Sequence, residues 1–407
     1  MKYVIIGNSA AAVGCIEGIR LNDSQGEIVV ISSEPYHTYS RPLISYLLLG
    51  KTDENRMKYR SDNFYQINNC TTLLGATVEK INSDKKCVML TDGQEISYDK
   101  LLVATGSRSF VPPISGLETV KNKFSFMTLD DAKALDSVLN SDSRVLIMGA
   151  GLIGLKCAEG ILHKVKSLTV VDLADHILPS ILDNDGSEMV QKHLENLGIS
   201  FVLGDAVAQF NGNTATLKSG KQVTFDVLVV AVGVRPNTNL VSDIGGNVGR
   251  GIITDECCRT SVDDIFAAGD CSESFDISCD QNRILAILPN AYLQGFCAGK
   301  TMTGHKETFE NAIPMNSIGF LGLHVMTAGS YNGDVYVDNK NGSYKKLFFK
   351  DNLLKGFIII GDVARTGIYT SLIRDKISLS SIDFDLIKEK PQLMAFSKNE
   401  RKKMLAN

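Results

Sequence analysis

The sequence predicts an α/β protein made of two parallel-sheet modules on one plan, followed by a smaller C-terminal α+β domain. Two observations lead to this. A strand, a glycine turn and a small-residue helix follow one another twice, and after about residue 315 the pattern changes to alternating strands.

The first copy opens with Tyr3-Val4-Ile5-Ile6, a β-branched run of the kind found in a strand buried on both faces. Gly7-Asn8-Ser9-Ala10-Ala11-Ala12 then turns the chain into a helix expected to reach about Arg20. The second copy opens with Val145-Leu146-Ile147-Met148 and turns through Gly149-Ala150-Gly151-Leu152-Ile153-Gly154 into a helix reaching about His163. In each copy a second apolar strand leads to an acid: Ile28 to Ile31 runs to Glu34, and Leu168 to Val171 runs to Asp172. Each also closes on a related phrase, Leu101-Leu102-Val103-Ala104-Thr105-Gly106 in the first and Leu228-Val229-Val230-Ala231-Val232-Gly233 in the second.

A bound pyrophosphate explains the glycines. The unpaired N–H groups and the dipole at a helix start favour an anion. Gly149 permits the tight turn, Gly151 keeps a Cβ out of the phosphate's path, and Gly154 lets helix and strand approach, with Leu152 and Ile153 between them. The first copy keeps Gly7 but has Ser9 and Ala12 at the second and third positions, so Ser9 must turn its side chain from the phosphate or bond to it. Glu34 and Asp172 stand where a carboxylate accepts hydrogen bonds from an adenosine ribose. One such turn often occurs without a ligand; two, with the same surroundings, point to two Rossmann-type dinucleotide-binding modules. Beyond residue 315, runs at Asp334 to Asp338, Tyr344 to Lys350 and Leu353 to Ile360, with a turn at Asp351-Asn352, predict the smaller interface domain.

Bulk properties narrow the function. The 407 residues suit two or three domains, and 44% hydrophobic with 22% charged residues describe a globular chain. A net charge of -4 and a pI near 5.9 argue against a nucleic-acid partner. Nine cysteines without a dense framework fit a reducing compartment, and their spacing matches no metal site. The first strand starts at Lys2, leaving no room for a secretory leader, and no apolar run nears the roughly 20 residues of a membrane span. A cytoplasmic protein with no membrane partner is expected.

With these residues in place, the chain resembles, over nearly its whole length, the FAD-dependent pyridine nucleotide oxidoreductases of the glutathione-reductase fold. It is most similar to the NADH:rubredoxin reductases and to the N-terminal flavin part of the nitrite reductase large subunit, through Ile265-Phe266-Ala267-Ala268-Gly269-Asp270-Cys271 and Gly361-Asp362-Val363-Ala364-Arg365-Thr366-Gly367 with Leu372-Ile373-Arg374. The resemblance implies FAD in the first module and NADH in the second. It assigns Glu34 to the FAD ribose, Arg41 to the pyrophosphate, with Pro42 beside it in the cofactor-binding set, and Asp270, after Gly269, to the ribityl chain. Val78, Thr105, Gly106 and Gly233 complete the implied cofactor-binding set. Asn290 is expected to cap a helix whose start faces the flavin. The organisation that follows is FAD-binding at 1–112 and 245–314, NADH-binding at 113–244, an interface domain at 315–385 and a basic tail at 386–407, where residues 398–403 carry four cations.

Within this family disulfide reductases carry a redox cysteine pair, and coenzyme A disulfide reductases or NADH oxidases a single cysteine near the flavin. Arg41-Pro42-Leu43-Ile44-Ser45-Tyr46 has none, so a thiol relay is not expected. Related NADH reductases place a lysine where Tyr46 stands, paired with a helix glutamate. That glutamate, Glu159, is kept as the expected catalytic residue, and Lys156 on the same helix is spaced to satisfy it. Electrons are expected to leave reduced flavin singly, toward a small iron protein such as rubredoxin or a ferredoxin, or toward an iron-sulfur partner subunit. An NADH oxidase or diaphorase, and a flavin subunit docked in a larger complex, stay open, as does an oligomer. NADH is expected over NADPH because Leu173-Ala174-Asp175 after Asp172 offers no cation to a 2′-phosphate.

Overall fold

The computed structural model describes residues 1–340, 342–397 and 401. The chain gathers into two units. One comprises Met1–Leu178, Leu194–Ser274 and Asn282–Phe309; the other comprises Pro179–His193, Phe275–Gln281 and Glu310–Asn407.

Two five-stranded parallel sheets organise the first unit. In one, the strands run in the order Ile265–Ala267, Lys100–Val103, Lys2–Ile6, Glu27–Ser32 and Cys70–Leu74; in the other, Ile199–Val202, Ser167–Val171, Arg144–Met148, Val227–Val230 and Lys123–Phe124. Their apolar runs are unbroken because both faces are covered, so Val4 and Ile5, like Leu146 and Ile147, lose all contact with water. In both sheets the strand before the glycine turn is central. Ile6 lies beside Ile31 and Val103, and Met148 beside Val171 and Val230. Each glycine turn therefore emerges between the acid-bearing strand and the closing strand, at the carboxyl edge where α/β sheets bind ligands.

Four helices of this unit matter to the sites: α1 (Ala10–Arg20), α2 (Ile44–Leu48), α3 (Leu152–Ile161) and α4 (Leu288–Met302). Helices α1 and α4 touch backbone to backbone. A Cβ on Gly14 would fall 2.1 Å from the Tyr292 carbonyl oxygen, and one on Gly18 2.4 Å from that of Phe296. From the other side, a Cβ on Gly295 would fall 1.9 Å from the Ala11 carbonyl oxygen and one on Gly299 2.3 Å from that of Cys15. Only hydrogen fits at these four places.

The two modules are joined by crossing strands, Ser107–Ser109 and Val234–Pro236, which pair antiparallel. Beside them Thr105 Oγ1 donates to the Asn237 carbonyl (2.8 Å) and Asn237 Nδ2 to the Thr105 carbonyl (2.9 Å).

The second unit holds an antiparallel sheet in the order Met315–Phe320, Leu323–Gly329, Leu353–Ile360, Ser343–Lys350 and Asp334–Lys340. Asp351 and Asn352 both take positive φ (53° and 62°), as a two-residue hairpin turn requires. Several stretches group differently from the expected boundaries: residues 275–281 and 310–314, expected in the segment 245–314, belong to this unit, and two others stand out. Residues 179–193, expected inside the second module, join this unit, where Asp183 accepts hydrogen bonds from Tyr344 Oη (2.6 Å) and Lys346 Nζ (2.7 Å). Nor is the chain a tail from 386, since Ile387, Ala395 and Phe396 are buried with Tyr369 and Leu372 in the unit's core. Of the expected basic stretch, 398–400 and 402–403 lie outside the described residues. No helix among the described residues is long and apolar enough to cross a membrane.

Candidate cofactor sites

Each glycine turn is shaped by its closing strand. Gly7 has φ +117°, and a Cβ there would lie 2.1 Å from the Ala104 carbonyl oxygen; Gly149 has φ +109° and would meet that of Ala231 at 2.2 Å. A Cβ on Gly154 would fall 2.0 Å from the Gly149 carbonyl oxygen, whereas at the matching place the methyl of Ala12 is accommodated and fully buried. Gly151 is the cap residue of α3, and among the described residues a Cβ on it would meet nothing within 4 Å. Ser9 caps α1 in an extended conformation and its hydroxyl makes no capping bond. Neither helix has an acid in its first turn, which in α3 begins with Leu152 and Ile153. Both helix starts thus offer N–H groups to open space, which fits an anion and would fit no buried apolar group.

The first module surrounds its turn with a recess lined by Asn8, Ser9, Ser32, Glu34, Tyr36, His37, Tyr39 and Arg41. Glu34 accepts a hydrogen bond from Tyr39 Oη (2.6 Å) and forms an ion pair with Arg41. Arg41 also donates to the Met127 carbonyl (3.2 Å). Burial works against the Arg41 guanidinium, but Tyr39, Glu34 and Asp270 around it hold its pKa above the ordinary value. Burial pushes the Asp270 carboxyl up, and the charge of Arg41 pulls it partly back. Glu34, Arg41 and Asp270, expected from three separate phrases, are thereby brought to one place.

Around them, Gly75 N and Ala76 N donate to the Glu34 and Ser32 carbonyls (3.4 and 2.9 Å), which sets the strand beginning at Val78 beside the acid. Pro42 is exposed in the short turn after Arg41. Gly106 accepts from Asn237 N and Gly233 from Phe110 N, both at 2.9 Å, so these two glycines sit at the crossing between modules. Gly269 N donates to Gln294 Oε1 (2.7 Å), fastening α4 against the Gly269-Asp270 turn.

Asn290 corrects one expectation. It is not the cap of α4; Ile287, in an extended conformation, is. Pro289 sits in the first turn, where its missing N–H costs nothing, so the helix starts earlier and Asn290 becomes its third residue, buried rather than capping.

In the second module Asp172 accepts backbone N–H bonds from Ala150 (2.6 Å) and Ala174 (2.8 Å), which ties the acid to the glycine turn itself. Helix α2 of the first module packs on α3 of the second so closely that a Cβ on Gly160 would lie 3.0 Å from the Ser45 carbonyl oxygen. At this contact Glu159, only 2% exposed, forms an ion pair with Lys156, whose ammonium lies 4.5 Å from the centre of the Tyr46 ring. Tyr46 brings no charge from the facing helix but supports the lysine across the junction. Cys271 follows Asp270 but turns away from it: its thiol donates to the Val103 and Ala268 carbonyls (both 3.4 Å), and burial raises its pKa.

Sequence reasoning gave no role to Asn8, Ser32, Tyr36, His37 or Tyr39. All but Ser32, which ends its strand, lie in irregular chain beside the expected residues, where neither the helical nor the strand period says which side chain turns inward.

A family model described as pyridine nucleotide-disulphide oxidoreductase matches residues 1–295, and one described as the rubredoxin NAD+ reductase C-terminal domain matches residues 314–377. The chain is 29% identical to subunit epsilon of the NADH-dependent phenylglyoxylate dehydrogenase of Aromatoleum evansii, over 94% of this chain and 93% of that one. It is 31% identical to the assimilatory nitrate reductase electron transfer subunit of Bacillus subtilis, over 89% of this chain but only 48% of the relative, so it spans about half that protein. Its fold matches that of the covalent putidaredoxin reductase-putidaredoxin complex with a TM-score of 0.87 at 22% identity, over 100% of this chain and 98% of that one. Taken with the two glycine-turn sites, this means the chain belongs to the pyridine nucleotide-disulphide oxidoreductase family and is an NADH-dependent, FAD-containing oxidoreductase with a rubredoxin-reductase type C-terminal domain.

Proposed function

We propose that this flavoprotein takes electrons from NADH and passes them singly to an iron protein, either a small carrier of the rubredoxin or ferredoxin kind or an iron-sulfur partner subunit. The observation that carries the reading is the α2–α3 junction, where the stretch from Arg41 to Tyr46 brings a tyrosine and no thiol toward the Glu159–Lys156 pair. A disulfide acceptor needs a thiol relay on the protein; an outside one-electron acceptor does not. The match of residues 314–377 to the rubredoxin reductase C-terminal domain supports the same class of acceptor.

In this reading residues 1–112 and 245–314 supply the FAD module and 113–244 the NADH module, apart from 179–193, 275–281 and 310–314, which group with the other unit. Gly7, Ser9 and Ala12 shape the FAD pyrophosphate turn, Arg41 and Pro42 flank it, Glu34 holds the ribose, and Asp270 with Gly269 holds the ribityl chain. Val78, Thr105 and Gly106 border the same site, and Asn290 lies in the first turn of α4. Gly149, Gly151, Leu152, Ile153 and Gly154 receive the NADH pyrophosphate, Asp172 its ribose, and Gly233 lines the crossing. Bound FAD supplies the exchange between two-electron and one-electron chemistry. The protein's part is to orient the two dinucleotides through these turns and to hold Glu159 beside Lys156 in the junction between the modules.

A second reading, a flavin subunit within a larger complex, is favoured by the end-to-end match to a protein named as a dehydrogenase subunit. One experiment tests both. Stopped-flow reduction by NADH is followed by mixing with rubredoxin, ferredoxin, oxygen or a quinone, alongside isolation of the native protein with whatever binds it. Fast reoxidation by an iron protein, or copurification with an iron-sulfur subunit, supports the proposal. Reoxidation that is faster with oxygen or quinone than with any iron protein overturns it.

A further inference from the structure

The recess beside Glu34 holds one polar atom that the protein leaves unmet. His37 Nε2 is buried and has no hydrogen-bond partner among the described residues. The other ring nitrogen, Nδ1, lies 3.1 Å from the Thr38 carbonyl oxygen. A carbonyl only accepts, so this contact assigns the proton to Nδ1, and in the neutral imidazole Nε2 is left as an acceptor.

The ring is held in this orientation. It packs on Tyr65 with centroids 4.7 Å apart. Tyr65 Oη in turn accepts from Thr38 N (3.0 Å) and donates to Asn8 Oδ1 (2.7 Å), and Asn8 belongs to the glycine turn. His37 is therefore set in register with the turn through two side chains. Thr38 Oγ1 is also buried without a partner, but Thr38 does not line the recess, whereas His37 does.

The chemistry of a bare nitrogen acceptor limits what can meet it. Phosphate oxygens and the ring nitrogens of adenine only accept; the donors of an FAD adenosine are the adenine amino group and the ribose hydroxyls, and the hydroxyls are those that Glu34 in the same recess would meet. A ribose held at Glu34 would bring two adjacent hydroxyl donors into the same recess, where that carboxylate already accepts from Tyr39 and pairs with Arg41. We propose that His37 Nε2 accepts a hydrogen bond from one hydroxyl of the FAD adenosine ribose, so that His37 and Glu34 together read the diol. This rests on FAD occupying the first module.

The test is a thermodynamic cycle on flavin-free protein. Parent and His37→Phe are titrated with FAD and with its 2′-deoxy and 3′-deoxyadenosine analogues, binding being read from flavin fluorescence. Phenylalanine keeps the ring on Tyr65 and removes the acceptor. The variant should bind FAD about 5- to 30-fold more weakly, the cost of leaving one hydroxyl without its partner. One deoxy analogue should bind the parent more weakly by a similar factor, and the variant should bind that analogue and FAD equally. NADH affinity should change by less than about two-fold, and the flavin-free variant should melt at the parent's temperature or above, since an unmet buried atom has gone. Should His37→Phe fail to fold, His37→Leu completes the same cycle. Equal FAD affinity in parent and variant, or a loss of one size for FAD and both analogues, overturns the proposal. If the flavin-free parent itself takes up no FAD, the assignment of the module fails instead.

Discussion

Replacing Lys156 with methionine keeps most of the side chain and removes its charge. Glu159 is 2% exposed, so its carboxylate loses the ammonium that it contacts without gaining much water. Removing one partner of a buried pair costs about 3–5 kcal/mol. Lys156 itself is 17% exposed and solvent reaches that side of the pair, which points to the low end of this range. The contact of the ammonium with the Tyr46 ring, about 0.5–1 kcal/mol at such sites, is lost too. A total of about 3.5–4 kcal/mol is expected. Adding Glu159→Gln removes the charge of the buried carboxylate left behind and should restore part of the loss. Urea unfolding followed by flavin fluorescence reads the flavin-bearing unit alone, which matters in a chain of two units where one overall transition is not assured. A Lys156→Met protein as stable as the parent, or a double variant weaker than the single, would refute the account of the junction.

Asp172→Ala should narrow the preference for NADH by removing the carboxylate that repels a 2′-phosphate, while also loosening the turn it holds through Ala150; stopped-flow reduction at limiting NADH and NADPH measures both, and parent rates already equal for the two would defeat the premise. Cys271→Ser should bind FAD and reduce an artificial one-electron acceptor at close to the parent rate, since a hydroxyl can donate to the same two carbonyls; a large loss with FAD retained would reopen thiol chemistry. Arg144 holds the Asp226 carboxyl at about 2, so this pair stabilises the fold above the unfolded carboxyl's value and the benefit fades as the pH falls through about 2. The pair is largely exposed, so Asp226→Asn should cost at most about 1 kcal/mol at pH 7 and almost nothing in strong acid; a cost that grows on acidification would contradict the sign.

Much of the fold was readable because its signals are local and repeated. Lys2 to Ile6 could only be a buried strand, and the glycines that follow report contacts with the closing strand through their own lack of a side chain. The hairpin at Asp351-Asn352 announced itself by residues that tolerate positive φ. What escaped depends on distant chain. Residues 179–193 leave the second module because Asp183 finds Tyr344 and Lys346, partners that no pattern near 183 reveals. Phe396 looks like part of a tail until a core forms to receive it. Around the glycine turns the positions of Glu34, Asp172 and the glycines were legible from spacing, Asp270 came from the resemblance, and the placement of Tyr39 and His37 was not legible, because it depends on how one loop folds back over Glu34. Asn290 was misread as a cap because asparagine favours caps, yet Pro289 beside it is the stronger signal for a helix already begun.

The glycine seam between α1 and α4 also bears on how the protein is made. Helix α1 is synthesised well before its partner, which is encoded some 280 residues later, beyond the inserted module. At roughly 5–20 residues per second, α1 waits for tens of seconds with the face meant for α4 uncovered. That face is built from Ala11, Gly14, Cys15 and Gly18, so the nascent chain offers chaperones and neighbouring chains backbone and small side chains in place of a leucine-rich stripe. A seam closed by shape, with little hydrophobic bulk of its own, can stay open through synthesis at small risk of aggregation, and it accepts only a helix that is just as bare.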